Sequence, residues 1–155
     1  MKVKDIMSNM VITVSKYDSI KTAAKKMAEF DIGMLVVTTD SNEVLGVVTD
    51  RDIVIRYIVK EIEDGTVEDA MTHHYIGIPE DEDIKKAIDI MGEYQLKRLV
   101  VTDKNNKALG VLSLSDIAST KFTNQFVNEA LYEISIPNPQ KEKPLKYLRV
   151  DDFPL

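Results

Sequence analysis

Apolar positions along this chain follow two rhythms, and the same succession of rhythms occurs twice. Short apolar runs, VITV at Val11 to Val14 and YIGI at Tyr75 to Ile78, predict brief strands. Behind the first, Ile20, Ala23, Ala24, Met27 and Ala28 recur at helical spacing after an Asp18-Ser19 start signal. Behind the second, Ile84, Ala87, Ile88 and Met91 do the same. MLVVTT and VLGVVT then predict two buried strands around the polar turn Asp40-Ser41-Asn42. RLVVTD and ALGVLS repeat that pair around Asn105-Asn106, and a second helix is expected to start near Arg51 and near Ser115.

The two series are copies. Shifted by about 64 positions, the chain aligns with itself without a gap, with about 19 of roughly 52 positions identical. VKDIM at Val3 falls on VEDAM at Val67, and Asp52-Ile53 falls on Asp116-Ile117. Two copies are too few for a solenoid, so a pseudo-symmetric pair is expected. The expected domains are 1–60 and 61–120, joined around EIEDGT, whose Gly65 suits a helix stop. A remainder, 121–155, has no counterpart in the first copy. KFTNQFVNEALYEI extends the last helix in this reading, with Phe122, Phe126 and Leu131 near helical spacing. The three prolines of SIPNPQKEKP rule out regular helix beyond it. Apolar Phe126, Leu131, Tyr147, Leu148 and Phe153 are expected to order this tail only by docking.

Composition narrows the classes. The chain has 155 residues, 44% of them apolar, with no cysteine and a formal net charge of −6. No apolar run approaches the roughly 20 residues that span a bilayer. The start, MKVKDIMSNM, lacks an apolar stretch of signal-peptide length, so a cytoplasmic, non-membrane location is expected. The negative balance argues against general nucleic-acid binding, but not against a small nucleotide, which needs only local cations.

Candidate chemistry sits in the phrase that recurs. GVVTDRDIV and GVLSLSDIA each place a hydroxyl three residues before an aspartate where a buried strand turns into a helix. There, backbone N–H groups and the helix dipole favour an anion, the hydroxyl can donate to phosphate, and a carboxylate suits two neighbouring ribose hydroxyls. The same spacing is also that of a capping box, which merely satisfies helix amides, and both readings stand. His73-His74 lacks spaced co-ligands, so no metal site is expected. No catalytic constellation is present, and no enzyme activity is expected.

The openings VKDIMS and VEDAMT, the LVVT strands and the closings GVVTDRDI and GVLSLSDI carry a resemblance. Met1 to about Thr120 is similar to a tandem pair of CBS domains, the arrangement called a Bateman module. The resemblance implies an α+β fold of two pseudo-symmetric β-α-β-β-α repeats packed through their sheets. It implies clefts for adenosine-containing ligands (AMP, ADP, ATP, NADH or S-adenosylmethionine), assembly as a homodimer, and a regulatory role toward an unidentified partner protein. The adenine nucleotide is then a regulatory ligand, with no catalytic cofactor. A structural dimerisation module with empty clefts is the alternative. Carried over by position, the first site comprises Thr49, Asp50 and Asp52, with Ile12 and Thr13 facing the base and Asp52 on the ribose. The second comprises Ser113, Ser115 and Asp116, with Tyr75, Ile76 and Ile78 along the base and Lys97 and Arg98 toward phosphate. Gly33 and Met34 replace those two cations in the first copy, which leaves Arg51 as its only candidate for phosphate.

Overall fold

A computed structural model of the chain describes residues 1–120 and 124–137. A 3-10 turn at Val3–Asp5 comes first, then β1 (Thr13–Val14), α1 (Ile20–Phe30), β2 (Met34–Thr38) and β3 (Val44–Thr49). The short helix α2 (Asp50–Asp52) continues into a π-type stretch at Ile53–Ile58. After α3 (Val67–Ala70) the order recurs as β4 (Gly77–Pro79), α4 (Ile84–Glu93), β5 (Arg98–Thr102), β6 (Ala108–Ser113) and α5 (Leu114–Ser119). A last helix, α6, covers Asn124–Ser135. Each repeat thus holds a three-stranded sheet, β1-β2-β3 or β4-β5-β6, with helices, as the α+β expectation required. β1 runs parallel to β2, and β2 antiparallel to β3.

The local reasons lie in the sequence. Ser19 caps α1 by accepting the Thr22 N–H at 3.1 Å, and Asp83 caps α4 by accepting the Lys85 N–H at 2.8 Å. Asn42 and Asn106 take left-handed conformations (φ 66° and 61°) at equivalent hairpin turns, a conformation asparagine tolerates. Ile20, Ala23 and Met27 bury one stripe of α1, while Ala24 and Ala28 stay exposed, so that stripe is narrower than its alanines suggested. In α4 all four expected residues, Ile84, Ala87, Ile88 and Met91, are buried.

The chain divides into two compact units that interleave with the repeats. The first unit holds Val11–Tyr75 and Asn105–Ala108. The second holds Met1–Met10, Ile76–Lys104 and the described residues from Leu109 on. In the first, Val47 exchanges backbone hydrogen bonds with Thr72, at 3.0 and 2.8 Å, so the α3 segment lies on β3. In the second, Ser8 and Val111 do the same at 2.9 and 3.0 Å, so the chain start lies on β6. Each opening phrase therefore packs on the strand of the other repeat. The glycine of the recurring phrase permits it: a Cβ on Gly46 would stand 2.2 Å from the Thr72 carbonyl oxygen, and one on Gly110 would stand 2.7 Å from that of Ser8.

Two expectations are corrected. Gly65 does not end a helix in a left-handed conformation, for no described glycine has positive φ; it is there because a Cβ would meet the Tyr57 ring at 2.4 Å. The last helix is not one continuous element either, since α5 stops at Ser119 and α6 is separate. On α6 the buried residues are Val127 and Ala130, with Phe126 and Ile134 half-buried against the second core, while Leu131 is 43% exposed. The docking expected of Tyr147, Leu148 and Phe153, and the place of Phe122, fall outside the described residues.

Candidate functional site

In the first unit the site is built at one end of its sheet. The β2–β3 register sets Met34 against Thr49, and the Asp50 N–H donates to the Gly33 carbonyl at 3.0 Å. β1 reaches the same end, because the Val36 N–H donates to the Ile12 carbonyl at 3.2 Å. Ile12, Thr13, Thr49, Asp50, Arg51 and Asp52 are thus brought within a few residues of one sheet end. Thr49 is extended (φ −113°, ψ 161°) and starts α2. Its Oγ1 accepts the Asp52 N–H at 3.1 Å, and Asp52 Oδ2 accepts the Thr49 N–H at 3.0 Å. That is a reciprocal capping box, so the structural reading of the spacing holds in this copy.

The cap leaves the second carboxylate oxygen over. Asp52 Oδ1 lies 3.8 Å from Arg56 Nη1, and the Asp52 side chain keeps 16% exposure. Arg56 itself donates to the carbonyls of Ala70 and Met71 and to Thr72 Oγ1, at 3.2, 3.0 and 3.0 Å. Sequence reasoning missed Arg56, although its place four residues after Asp52 is the spacing at which helical side chains meet. Asp50 is exposed, and its Oδ1 accepts the Arg51 N–H at 2.7 Å. Arg51 is exposed beside it. Thr13 is half-buried, and its carbonyl accepts Lys26 Nζ at 2.7 Å.

The second unit repeats the geometry with other side chains. The Leu114 N–H donates to the Lys97 carbonyl at 2.9 Å, matching the Asp50 to Gly33 bond. Ser113 Oγ accepts the Asp116 N–H at 3.1 Å and donates to Asp116 Oδ2 at 2.6 Å; that same oxygen accepts the Ser113 N–H at 2.8 Å. Ser115 is exposed, with its Oγ 3.3 Å from that of Ser113. Lys97 and Arg98 are exposed where β5 begins. Ile76 and Ile78 sit in the core at 4% and 0% exposure, which leaves Ile78 no open face. Tyr75 falls within the first unit, where it is buried and its hydroxyl donates to Asn106 Oδ1.

His73 and His74 are exposed, and among the described residues no three His, Asp or Glu side chains gather as for a metal. Two hollows among the described residues are lined by none of the capping residues. One, of about 280 Å³, is lined by Thr13, Ser15, Lys26 and the turn residues Thr38 to Asp40; the other, of about 510 Å³, follows the outer face of α6. Among the described residues no helix is long and apolar enough to cross a membrane.

Comparison with known proteins agrees with this architecture. The model of the CBS domain matches residues 3–58 and again 67–121. The uncharacterized protein YlbB of Bacillus subtilis is 34% identical over 143 residues, 91% of this chain and 96% of that one. The CBS domain protein TA0289 of Thermoplasma acidophilum has the same fold, with TM-score 0.75 at 24% identity over 86% of this chain and 75% of that one. The CBS domain pair of protein MJ0100, in complex with 5′-methylthioadenosine and S-adenosyl-L-methionine, gives TM-score 0.70 at 28% identity, covering 76% of this chain and 93% of that one. Two matched repeats, two sheets of one topology and two matching caps make this chain a member of the CBS-domain family.

Proposed function

We propose that this protein is a regulatory CBS pair that binds adenosine-containing ligands at its two caps and thereby alters a partner protein, without catalysis of its own. The observation that carries the proposal is the division of labour in the two aspartates. One oxygen of each, Oδ2, closes the capping box, while Oδ1 of Asp116 takes no hydrogen bond among the described residues and that of Asp52 meets only Arg56 at 3.8 Å. A free carboxylate oxygen can accept from ribose hydroxyls without disturbing the cap. The adenosine derivatives bound by the CBS pair of MJ0100, at 28% identity, support the ligand class.

The first site comprises Ile12, Thr13, Thr49, Asp50, Arg51 and Asp52. The second comprises Ser113, Ser115 and Asp116, with Lys97 and Arg98 toward phosphate. The half-buried surroundings of Ile12 suit a base better than the closed core around Ile76 and Ile78. We place the protein in the cytoplasm, where adenine nucleotides are abundant. We also propose a homodimer. Val54, Ile55, Ile58 and Val59 form an apolar run that is 51, 44, 60 and 69% exposed, and such patches mark interfaces. A monomer in light scattering at micromolar concentration contradicts it.

A thermal-shift series tests the ligand reading. Adenosine, AMP, ADP, ATP, NADH and S-adenosylmethionine are each added to the full chain. A ligand bound only by the folded state raises the melting temperature with the logarithm of its concentration. No rise with any of them at millimolar concentration overturns the reading. It favours instead a purely structural module, which the exposed run from Val54 to Val59 would serve.

A further inference from the structure

We infer that the first unit's cap selects adenosine ligands whose 5′ end is positively charged, such as a sulfonium, and disfavours phosphate. The inference rests on the reading that Asp52 and Asp116 each hold a ribose. What carries it is the set of side chains around each cap. The register that sets Met34 against Thr49, and the equivalent bonds from Asp50 to Gly33 and from Leu114 to Lys97, surround the first cap with residues 33, 34 and 50 and the second with 97, 98 and 114. The second cap meets two exposed cations, Lys97 and Arg98, and a leucine that turns into the core. The first meets no side chain at Gly33, a thioether at Met34 and an exposed carboxylate at Asp50.

The carboxylate is held where it is. A Cβ at Gly33 would stand 2.9 Å from Asp50 Oδ2, so the missing side chain is what gives the carboxylate its place. Its other oxygen accepts the Arg51 N–H at 2.7 Å. The nearby cations are mostly committed. Arg56 serves the carbonyls of Ala70 and Met71 and the Thr72 hydroxyl, and Lys26 serves the Thr13 carbonyl. Arg56 also stands 3.8 Å from Asp52 Oδ1, so among the described residues Asp50 is the carboxylate of this cap without an ion pair, with Arg51 exposed beside it. A phosphate brought to this cap meets a like charge at Asp50, while a sulfonium meets an opposite one. The Met34 thioether adds a soft, polarizable contact for sulfur-bound methyl groups.

Calorimetric titration of the Asp116→Asn chain, which isolates the first cap, tests this with four probes. They are S-adenosylmethionine, the neutral 5′-methylthioadenosine, AMP and adenosine. The sulfonium is expected to bind about fivefold more tightly than the neutral thioether, and AMP about fivefold more weakly, the scale of a pairing between exposed charges. Adding Asp50→Asn should bring the three within about twofold of one another. AMP binding as tightly as the thioether overturns the inference, as does a sulfonium preference that survives Asp50→Asn unchanged. If adenosine binds neither the parent nor the Asp116→Asn chain, it is the ribose reading that has failed, and the inference falls with it.

Discussion

Thr49 and Asp52 hold each other's backbone: the Asp52 N–H donates to Thr49 Oγ1 at 3.1 Å, and the Thr49 N–H donates to Asp52 Oδ2 at 3.0 Å. Ser113 and Asp116 do likewise in the second repeat. Both aspartates therefore have a structural duty before any ligand arrives. Thr49→Ala and Ser113→Ala should each lower unfolding free energy by about 1 kcal/mol, since each removes an N-cap acceptor. Asp52→Asn and Asp116→Asn should cost less than half of that, because an amide oxygen can still accept the N–H. Urea denaturation decides, and a Thr49→Ala chain as stable as the parent contradicts the capping role.

The two phrase glycines should be the least replaceable in the chain. Gly46→Ala drives a methyl group to 2.2 Å from the Thr72 carbonyl oxygen, and Gly110→Ala to 2.7 Å from that of Ser8. Backbone cannot swing aside as a side-chain tip can, so each change should cost about 2 kcal/mol or more, with Gly46 the worse. Gly92→Ala is the contrast. It lies inside α4, and its nearest neighbour would be 3.7 Å away, so it should stabilise by about 0.5 kcal/mol. Thermal melts of the three variants give the order, and Gly46→Ala melting with the parent refutes the close approach.

Much of this fold is legible in the sequence because the repeat writes it twice. The apolar runs VLGVVT and ALGVLS mark β3 and β6 to the residue, and the asparagines mark their turns. The exchange of openings is not legible. VKDIM and VEDAM are near-copies that fit either strand, and proximity along the chain favours the wrong one. Helical spacing chose Leu131 as a buried residue of α6, yet the buried stripe runs one residue earlier, through Val127 and Ala130, because the phase is set by what α6 packs on. The hydroxyl–aspartate spacing revealed both caps. It carried no sign of Arg56, whose partners at Ala70 to Thr72 come from a segment fourteen or more residues away. The seat of Asp50 over Gly33 is likewise a tertiary fact, invisible in spacing.

Arg98 should divide AMP from adenosine. It is exposed at the start of β5, and Met34 takes the equivalent place in the first repeat. A guanidinium meets phosphate oxygens with charge-assisted bonds worth about 1.5–3 kcal/mol each, so Arg98→Ala should weaken AMP about tenfold or more and leave adenosine nearly unchanged. Calorimetry checks it. AMP affinity within about twofold of the parent removes Arg98 from the phosphate site.

Lys4 and Asp81 give a pH signature at the second unit's edge. Lys4 Nζ meets Asp81 Oδ1 at 2.7 Å, and Lys2 Nζ meets it at 3.4 Å. The hydrogen bond from Lys4 holds the Asp81 carboxyl below its ordinary range, and the same bond raises Lys4 above its own. A depressed carboxyl contributes stability above about pH 4 that is lost as pH falls through its folded value, and a raised lysine contributes below about pH 10 what is lost above it. Both ends are solvent-exposed, so the effect on melting is small and the titration itself is the readout. In Lys4→Ala, NMR titration of the Asp81 carboxyl should show a higher midpoint than in the parent. An unchanged midpoint contradicts the pairing.

The ribose reading stands or falls on adenosine binding to the Asp52→Asn, Asp116→Asn double variant, measured by calorimetry beside the parent. Asparagine keeps the caps but presents one acceptor oxygen in place of two, and that oxygen is already used. Losing the charge-assisted bonds to the ribose at both sites should weaken adenosine at least about tenfold, while the melting temperature stays within a few degrees of the parent's. Unchanged adenosine affinity in a folded double variant would mean that neither Asp52 nor Asp116 holds the ligand.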